Sequence, residues 1–329
     1  MARDVPPLHD GYGAAGRSAW LDIDWPAHQR WIEIDGVPAN VIELGSGPPL
    51  LFVHGLAGCW QNWLENIPHF AASRRVIAVD LPGFGASPMP RERISIPRYA
   101  RFLELLCDEL SIDAATVVGN SMGGYVTAEL AIASPQRVER LMLVSAAGIS
   151  AEYLHRDGVM AGARVVAAIA TRAAARHAWF ARRPGLRRVA LEFVVRHPDR
   201  LTAPLAHELM KGSGTPGFLP AMEAIVEHRI SARLPQIACP TFVMWGRDDR
   251  VIPVRDAQRF GELIPDARVV VLPDTGHVAM LERPARFNAL LEAFMTEAPG
   301  EQVASADADA EAAGAADADA DTPRDAVSG

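Results

Sequence analysis

A serine lies between two glycines at residues 119–123, where the sequence reads Gly-Asn-Ser-Met-Gly. The β-branched run before it predicts a buried strand, and residues 122–133 after it have helical spacing. Flanking glycines permit a sharp strand-to-helix turn that strains the serine backbone and lifts its hydroxyl clear of a sheet. We therefore predict Ser121 as a nucleophile. The NH of Met122, at the helix N-terminus, is predicted to stabilise an oxyanion.

A second oxyanion donor is expected in the loop after an earlier apolar strand, which reads Phe-Val-His-Gly-Leu at residues 52–56. The NH of Leu56 is the predicted donor, and His54 is expected to bond the loop backbone. Residues close to these donors are predicted to line the substrate pocket: Gly55, Asn120, Trp60 and Val278. At its spacing, Trp60 fits the core of the following helix equally well.

Serine needs a base within hydrogen-bond reach, normally histidine. Of the ten histidines, only His277 follows a buried-strand pattern late in the chain. A carboxylate must then orient the imidazole. Asp248 and Asp249 both follow an apolar strand, and spacing alone does not separate them. Along the chain the three residues thus occur in the order Ser, Asp, His. This order is typical of α/β enzymes whose nucleophilic serine lies in the turn between a strand and a helix.

Short apolar runs alternate with amphipathic segments, which indicates a mostly parallel sheet with helices on both faces. Gly36 is expected in an antiparallel turn between the first two strands. The predicted strands are 31–34, 39–44, 50–54, 76–80, 116–119, 141–145, 241–245 and 269–272. The predicted covering helices are 97–110, 122–133, 254–263 and 284–295.

Three segments lie outside this alternation. Residues 146–235 show consecutive helical patterns without a convincing strand, so we predict a helical cap inserted after the sixth strand. The predicted core is then 31–145 and 236–297, preceded by an N-terminal extension at 1–30. Residues 298–329 alternate Ala with Asp or Glu, carry a net charge of −7, and are predicted to be a disordered acidic tail.

The charge, the cysteine content and the hydrophobicity of the chain argue against several classes of protein. The net charge of −8 comes almost entirely from the tail, so the body gives no basic footprint for nucleic acid. Three scattered cysteines argue against a disulfide framework or a zinc site, and no segment has the length of a spanning helix. No cofactor or metal motif is present. We expect a soluble, cytoplasmic protein without cofactor.

The predicted cap is rich in arginine, with ten arginines against three acids over residues 156–200. Apolar residues are interleaved with them. One interpretation is a set of amphipathic helices whose arginine stems cover apolar surface. The other is peripheral docking on an anionic lipid surface.

From residue 31 to 295 the chain resembles the α/β-hydrolase superfamily. The matching segments are HGLAG (54–58), DLPGFGASPMP (80–90), GNSMGG (119–124), WGRDDRVIP (245–253) and TGHVAMLERP (275–284). The resemblance implies an eight-stranded α/β-hydrolase fold. It also favours Asp249, because the loop acid of that family usually stands three residues after the glycine.

The GNSMGG turn is similar to that of carbon-carbon bond hydrolases that act on ring-fission products, and it also occurs in esterases of the superfamily. This chain has Val278 where those carbon-carbon hydrolases commonly have tryptophan. We expect a serine hydrolase that cleaves a carboxylic ester of a small to medium hydrophobic substrate. A carbon-carbon hydrolase of a vinylogous diketone and a non-catalytic binding protein on the same fold are the alternatives.

Overall fold

The computed structural model describes residues 11–14, 16–174 and 177–297. The predicted acidic tail and the first ten residues of the predicted N-terminal extension lie outside the described residues. Eight strands form one sheet: β1 Gln29–Ile34, β2 Val37–Leu44, β3 Pro49–Val53, β4 Arg75–Val79, β5 Ala115–Asn120, β6 Val138–Val144, β7 Thr241–Gly246 and β8 Ala267–Leu272.

Helices fill the connections between the strands. They are α1 Ile67–Phe70, α2 Ile96–Glu109, α3 Met122–Ala133, α4 Arg156–Ala174, α5 His177–Ala181, α6 Pro184–Leu191, α7 Ala203–Met210, α8 Phe218–Glu227, α9 Arg255–Leu263, α10 Ala279–Glu282 and α11 Pro284–Thr296. Short 3₁₀ turns occur at Ala19–Asp22, Trp25–His28, Trp60–Trp63, Pro135–Arg137, Ser150–Tyr153, Pro198–Arg200 and Ser231–Gln236.

The strand order is β1-β2-β4-β3-β5-β6-β7-β8. Strands β1 and β2 pair antiparallel, as do β2 and β4. All the other pairs, from β4-β3 to β7-β8, are parallel. The turn between β1 and β2 contains Asp35 and Gly36, both at positive φ, as a tight hairpin of right-handed twist requires. The predicted α/β-hydrolase fold and its eight strands are confirmed.

The sheet separates two layers of hydrophobic core because successive side chains of a strand point to opposite faces. In β3, Leu51 and Val53 join the layer beneath α2 and α3, whereas Leu50 and Phe52 join the opposite layer with Trp63. Helix α2 begins with Ser95 as its N-cap, whose hydroxyl accepts from the Arg98 amide. Both faces of the sheet are therefore covered.

Between β6 and β7 the described residues form helices and turns, without a strand. We call residues 146–235 the helical insertion. Among the described residues, no helix combines the length and the apolar character that crossing a bilayer would need.

Candidate active site

The parallel strands end at one edge of the sheet, and the predicted chemical residues follow those ends. Ser121 follows β5, His54 and Leu56 follow β3, Asp249 follows β7, and His277 follows β8. Because parallel strands share one carboxyl edge, residues far apart in sequence meet there.

Ser121 has a backbone φ of 54° and ψ of −119°, a region that costs a side-chain-bearing residue about 1–3 kcal/mol. Neighbouring backbone holds it there: its NH donates to the Val144 carbonyl at 2.9 Å, and its carbonyl accepts from Ala147 at 3.0 Å. Helix α3 begins at the next residue. The Met122 amide thus belongs to the first turn of a helix, where NH groups lack helical partners.

Two glycines let this turn approach the sheet. A Cβ on Gly123 would lie 2.2 Å from the Val53 carbonyl oxygen, and one on Gly119 would lie 2.4 Å from the Gly123 carbonyl oxygen. Both neighbours are backbone atoms, which have no rotamer by which to move aside. The motif glycines are therefore required by packing as well as by turn geometry.

The loop after β3 lies directly against the serine. A Cβ on Gly55 would be 2.9 Å from the Ser121 Cβ, so this position accepts only glycine without a shift. His54 is fully buried; its Nδ1 donates to the Gly55 carbonyl at 2.7 Å, and its Nε2 accepts from the Leu81 amide at 3.0 Å. Burial lowers the pKa of His54, so the neutral ring braces the loop that carries Leu56, as expected.

His277 and Asp249 are in direct contact. The Nδ1 of His277 lies 2.8 Å from Oδ2 of Asp249, and the two side chains are 6% and 0% exposed. The other carboxylate oxygen, Oδ1, accepts from the amides of Val251 and Ile252 at 2.8 and 3.0 Å. An acceptor at Nδ1 places the proton there and leaves Nε2 as a free base.

Asp248 has other partners. Its amide donates to the Thr275 carbonyl, and its carboxylate lies 3.7 Å from Nε of Arg196. The carboxylate thus pairs with an arginine that the helical insertion brings to this loop.

The four predicted pocket residues occupy different environments. Gly55 contacts Ser121, as described above. Asn120 is buried, and its Nδ2 donates to the carbonyls of Val144 and His277 at 3.1 and 3.2 Å. It therefore ties the serine turn to the histidine loop. Val278 is buried within the hydrophobic core.

Trp60 lines a cavity of about 390 Å³, and Trp25, Cys59, Asp80 and Lys211 also contribute to its wall. The described lining of this cavity does not include the serine, the histidine or Asp249. Asp80 is satisfied within the wall, accepting from Asn40 Nδ2 and from the Trp60 and Ala86 amides.

Sequence reasoning missed Glu282, a fully buried carboxylate beside the histidine loop. It accepts from the amides of Gly276 and Val278 on both sides of His277, and from the amide of Arg196 in the helical insertion. Tyr12 donates its hydroxyl at 2.6 Å. Burial raises the pKa of this carboxyl, although these hydrogen bonds oppose the rise. Glu282 lies in the matching segment TGHVAMLERP, but its spacing from His277 did not show that it would be buried.

A known protein family matches most of this chain. A family model described as alpha/beta hydrolase fold matches residues 48–284. The chain belongs to the alpha/beta hydrolase fold family. It is a hydrolase by its fold and by the hydrolases among its relatives, and the matched region contains all the residues of the candidate site.

Members of the family with different activities resemble the chain to a similar degree. It is 32% identical to the dihydrolipoyllysine-residue acetyltransferase component of an acetoin cleaving system from Pseudomonas putida, over 82% of this chain and 70% of that protein. It is 30% identical to a 2-hydroxymuconate semialdehyde hydrolase from a Pseudomonas species, over 85% and 98%. The solved structure of Est816, an N-acyl homoserine lactone degrading enzyme, is 28% identical with a TM-score of 0.65, over 80% and 100%.

Proposed function

We propose that this alpha/beta hydrolase cleaves a carboxylic ester of a small to medium hydrophobic substrate through an acyl-enzyme. Ser121 is the nucleophile, His277 the general base and acid, and Asp249 the residue that orients the imidazole. The amides of Leu56 and Met122 hold the oxyanion. No cofactor takes part in this scheme.

In the first half of the reaction, Ser121 Oγ attacks the ester carbonyl carbon while His277 Nε2 takes its proton. The carbonyl oxygen becomes an oxyanion that the two amides stabilise. As the tetrahedral intermediate collapses, the carbon–oxygen bond to the alcohol breaks and His277 protonates the leaving oxygen. Water then attacks the acyl-enzyme by the same route, which releases the acid and restores the serine.

The contact between His277 and Asp249 carries this proposal. A histidine whose Nδ1 is fixed by a buried carboxylate, and whose carboxylate is itself held by two amides, is oriented as a base rather than packed as a core residue. The strained backbone of Ser121 at the start of α3 supports the nucleophile assignment, because such strain is found at functional sites.

Burial of the site supports an uncharged, hydrophobic substrate. Ser121 is 9% exposed and His277 is 5% exposed, and an ionic group brought beside them would lose its hydration. The related protein Est816 degrades an N-acyl homoserine lactone, and a lactone is a cyclic carboxylic ester.

Labelling with a fluorophosphonate probe, together with hydrolysis rates on p-nitrophenyl esters from acetyl to palmitoyl, tests the proposal. Wild type should be labelled and should turn over the shorter or intermediate esters. Ser121→Ala should lose both the label and turnover while it keeps the thermal midpoint of wild type. Full hydrolytic activity of Ser121→Ala would refute it.

A second candidate is hydrolysis of a carbon-carbon bond in a vinylogous diketone acid, favoured by the 30% identity to a 2-hydroxymuconate semialdehyde hydrolase over 98% of that protein. The same three side chains would serve. A kcat/KM on ring-fission products far above that on aryl esters decides for this candidate. A non-catalytic binding protein is the third, and failure of the probe to label the chain would favour it.

We further propose that the protein works in a reducing compartment, as expected of a cytoplasmic protein. Cys59, Cys107 and Cys239 are all free thiols, and two of them are buried in the core. Unchanged activity and thermal midpoint in a strong thiol reductant would support this assignment, and loss of either would contradict it.

A further inference from the structure

Helix α4 carries an apolar face that nothing described in the structure covers. Its inner side packs through Met160 and Ala163, both buried. On its outer side Val165, Val166 and Ile169 are 60%, 54% and 63% exposed. Large apolar side chains grouped on one exposed helix face usually mark a surface that contacts a membrane or another protein.

Large apolar side chains are also exposed on and after α5 and α6. Trp179, Val189 and Phe193 are 47%, 74% and 61% exposed. The Arg183 guanidinium lies 4.4 Å from the centre of the Trp179 ring. A tryptophan with an apolar body and a cation on its face is a side-chain pair suited to the boundary between water and lipid.

Arginines greatly outnumber acids in this part of the chain. Residues 156–200 contain ten arginines against Asp157, Glu192 and Asp199, a net charge of +7. Arg164, Arg172, Arg182 and Arg188 are exposed. Other arginines of the segment are engaged within the fold, since Arg156 pairs with Glu223 and Arg196 pairs with Asp274. These four exposed arginines are therefore cations that this segment presents to an anionic surface.

We propose that the exposed apolar residues of the helical insertion and their arginines dock the protein on an anionic phospholipid surface. We call Val165, Val166, Ile169, Trp179, Val189 and Phe193 the docking surface. A bilayer of this kind meets both requirements, because its acyl boundary takes up the apolar side chains and its headgroups bind the arginines.

Other occupants fit less well. A second copy of the chain in a two-fold dimer would bring the same surface against itself, and so would oppose two segments of charge +7. The chain's own acidic residues 298–329 complement that charge, but they contain only Val303 and Val327 as large apolar side chains. They would leave most of the docking surface uncovered.

The docking surface adjoins the candidate histidine. Phe193 precedes Val194, whose carbonyl accepts from the His277 amide at 2.9 Å. Two residues after Val194, the Arg196 amide donates to the Glu282 carboxylate at 2.8 Å. If the proposed function holds, docking brings membrane lipids beside the catalytic loop; docking itself does not depend on that function.

Sedimentation of the full chain with vesicles tests the proposal. Vesicles of phosphatidylcholine are compared with vesicles that also contain phosphatidylglycerol, at low and high salt. We expect at least about tenfold tighter binding to the phosphatidylglycerol vesicles at low salt, and loss of that preference at high salt. Ser121→Ala should bind equally well, which separates docking from catalysis.

Two surface variants and a matched control locate the binding site. Val165→Ser/Ile169→Ser and Arg164→Gln/Arg188→Gln should each weaken binding to phosphatidylglycerol vesicles by about tenfold or more. Arg255→Gln/Arg259→Gln removes the same charge from α9 and should change binding less than about threefold.

Three outcomes would overturn the proposal. The first is no vesicle binding by wild type, and the second is equal weakening by the α9 control. The third is a dimer in sedimentation velocity that Val165→Ser/Ile169→Ser dissociates, which would make this surface a subunit interface. Because the side chains substituted on α4, α6 and α9 are exposed, each of these surface variants should keep the thermal midpoint of wild type.

Discussion

Asp248 and Asp249 are neighbours in the chain, yet their carboxylates face different partners. Asp249 reaches His277 and is held by two backbone amides. Asp248 is 34% exposed and reaches Arg196. At the scale of single residues, the two carboxylates therefore differ in direction: that of Asp249 points to His277, and that of Asp248 points to the helical insertion.

Asp249→Asn should lower kcat by about 10³–10⁴-fold, because an amide no longer holds the His277 imidazole in the tautomer that leaves Nε2 free. Asp248→Asn is the matched control and should change kcat less than about threefold. Ester hydrolysis measured on both variants, with thermal unfolding to show that each is folded, checks this. A larger loss of kcat in Asp248→Asn than in Asp249→Asn would show that Asp248, and not Asp249, orients the imidazole.

At the scale of helices and strands, close packing constrains the residues of the turn between β5 and α3. Its glycines are packed against backbone carbonyls, that of Val53 in β3 among them, whereas Gly158 and Gly162 of α4 have open space around them. Glycine in α3 thus allows a close approach of the helix to the sheet. Glycine in α4 is exposed and only costs the helix conformational entropy.

Gly123→Ala should destabilise the protein by more than about 2 kcal/mol, since its methyl group would meet the Val53 carbonyl oxygen. Gly158→Ala, where a Cβ meets nothing within 4 Å, should stabilise it by about 0.5–1 kcal/mol. Urea unfolding of both variants measures the two free energies. Equal effects would show that packing does not explain the motif glycine.

The loop that carries His277 is a second element whose position depends on one residue. Glu282 binds the amides on both sides of the histidine and connects them to Tyr12 and to Arg196. The first described residues, the helical insertion and α10 thus meet at this carboxylate. Glu282 therefore positions the His277 loop, because its carboxylate accepts hydrogen bonds from the backbone amides on either side of the histidine.

Glu282→Gln should reduce kcat by about tenfold with little change in KM, because an amide nitrogen would face backbone donors and the loop would shift. The free energy of unfolding should also fall by about 1–3 kcal/mol. Tyr12→Phe removes one of the hydrogen bonds to Glu282 and also the acceptor of the His197 amide, and should cost about 1–3 kcal/mol. Steady-state kinetics and urea unfolding measure these effects; an unchanged kcat in Glu282→Gln would contradict the positioning role.

At the scale of the whole molecule, a buried ion-pair network joins α3 to the end of the helical insertion. Glu129 of α3 is 4% exposed and binds His228 at 3.0 Å and Arg233 at 2.6 Å. Burial alone would raise the pKa of Glu129, but the hydrogen bonds from His228 and Arg233 outweigh it and lower that pKa. Ionised Glu129 therefore stabilises the folded chain.

A carboxyl with a lowered pKa contributes stability above its unfolded pKa of about 4 and loses it as the pH falls through the lower folded value. Glu129→Gln should thus be less stable than wild type by about 1–3 kcal/mol near neutral pH, and the difference should shrink below about pH 4. Chemical unfolding from neutral to acidic pH measures it. Glu262→Gln, at an exposed pair, should show little difference at any pH.

Local patterns determined much of this protein in advance. The strands and the covering helices follow from apolar periodicity, which is a property of neighbouring residues, so errors are confined to their ends; β6, for example, begins at Val138 and not at Leu141. The order of Ser121, the aspartates and His277 along parallel strands was likewise sufficient to predict that they meet at one edge.

Only the tertiary structure decided what depends on contacts between distant segments. Three features depend on residues more than ten positions apart: the direction of Asp249, the bracing role of Asn120 and the convergence on Glu282. The same holds for the exposed valines of α4, since a helical pattern gives the apolar face but not what covers it. Periodicity is local, whereas orientation and burial are set by the packing of the whole chain.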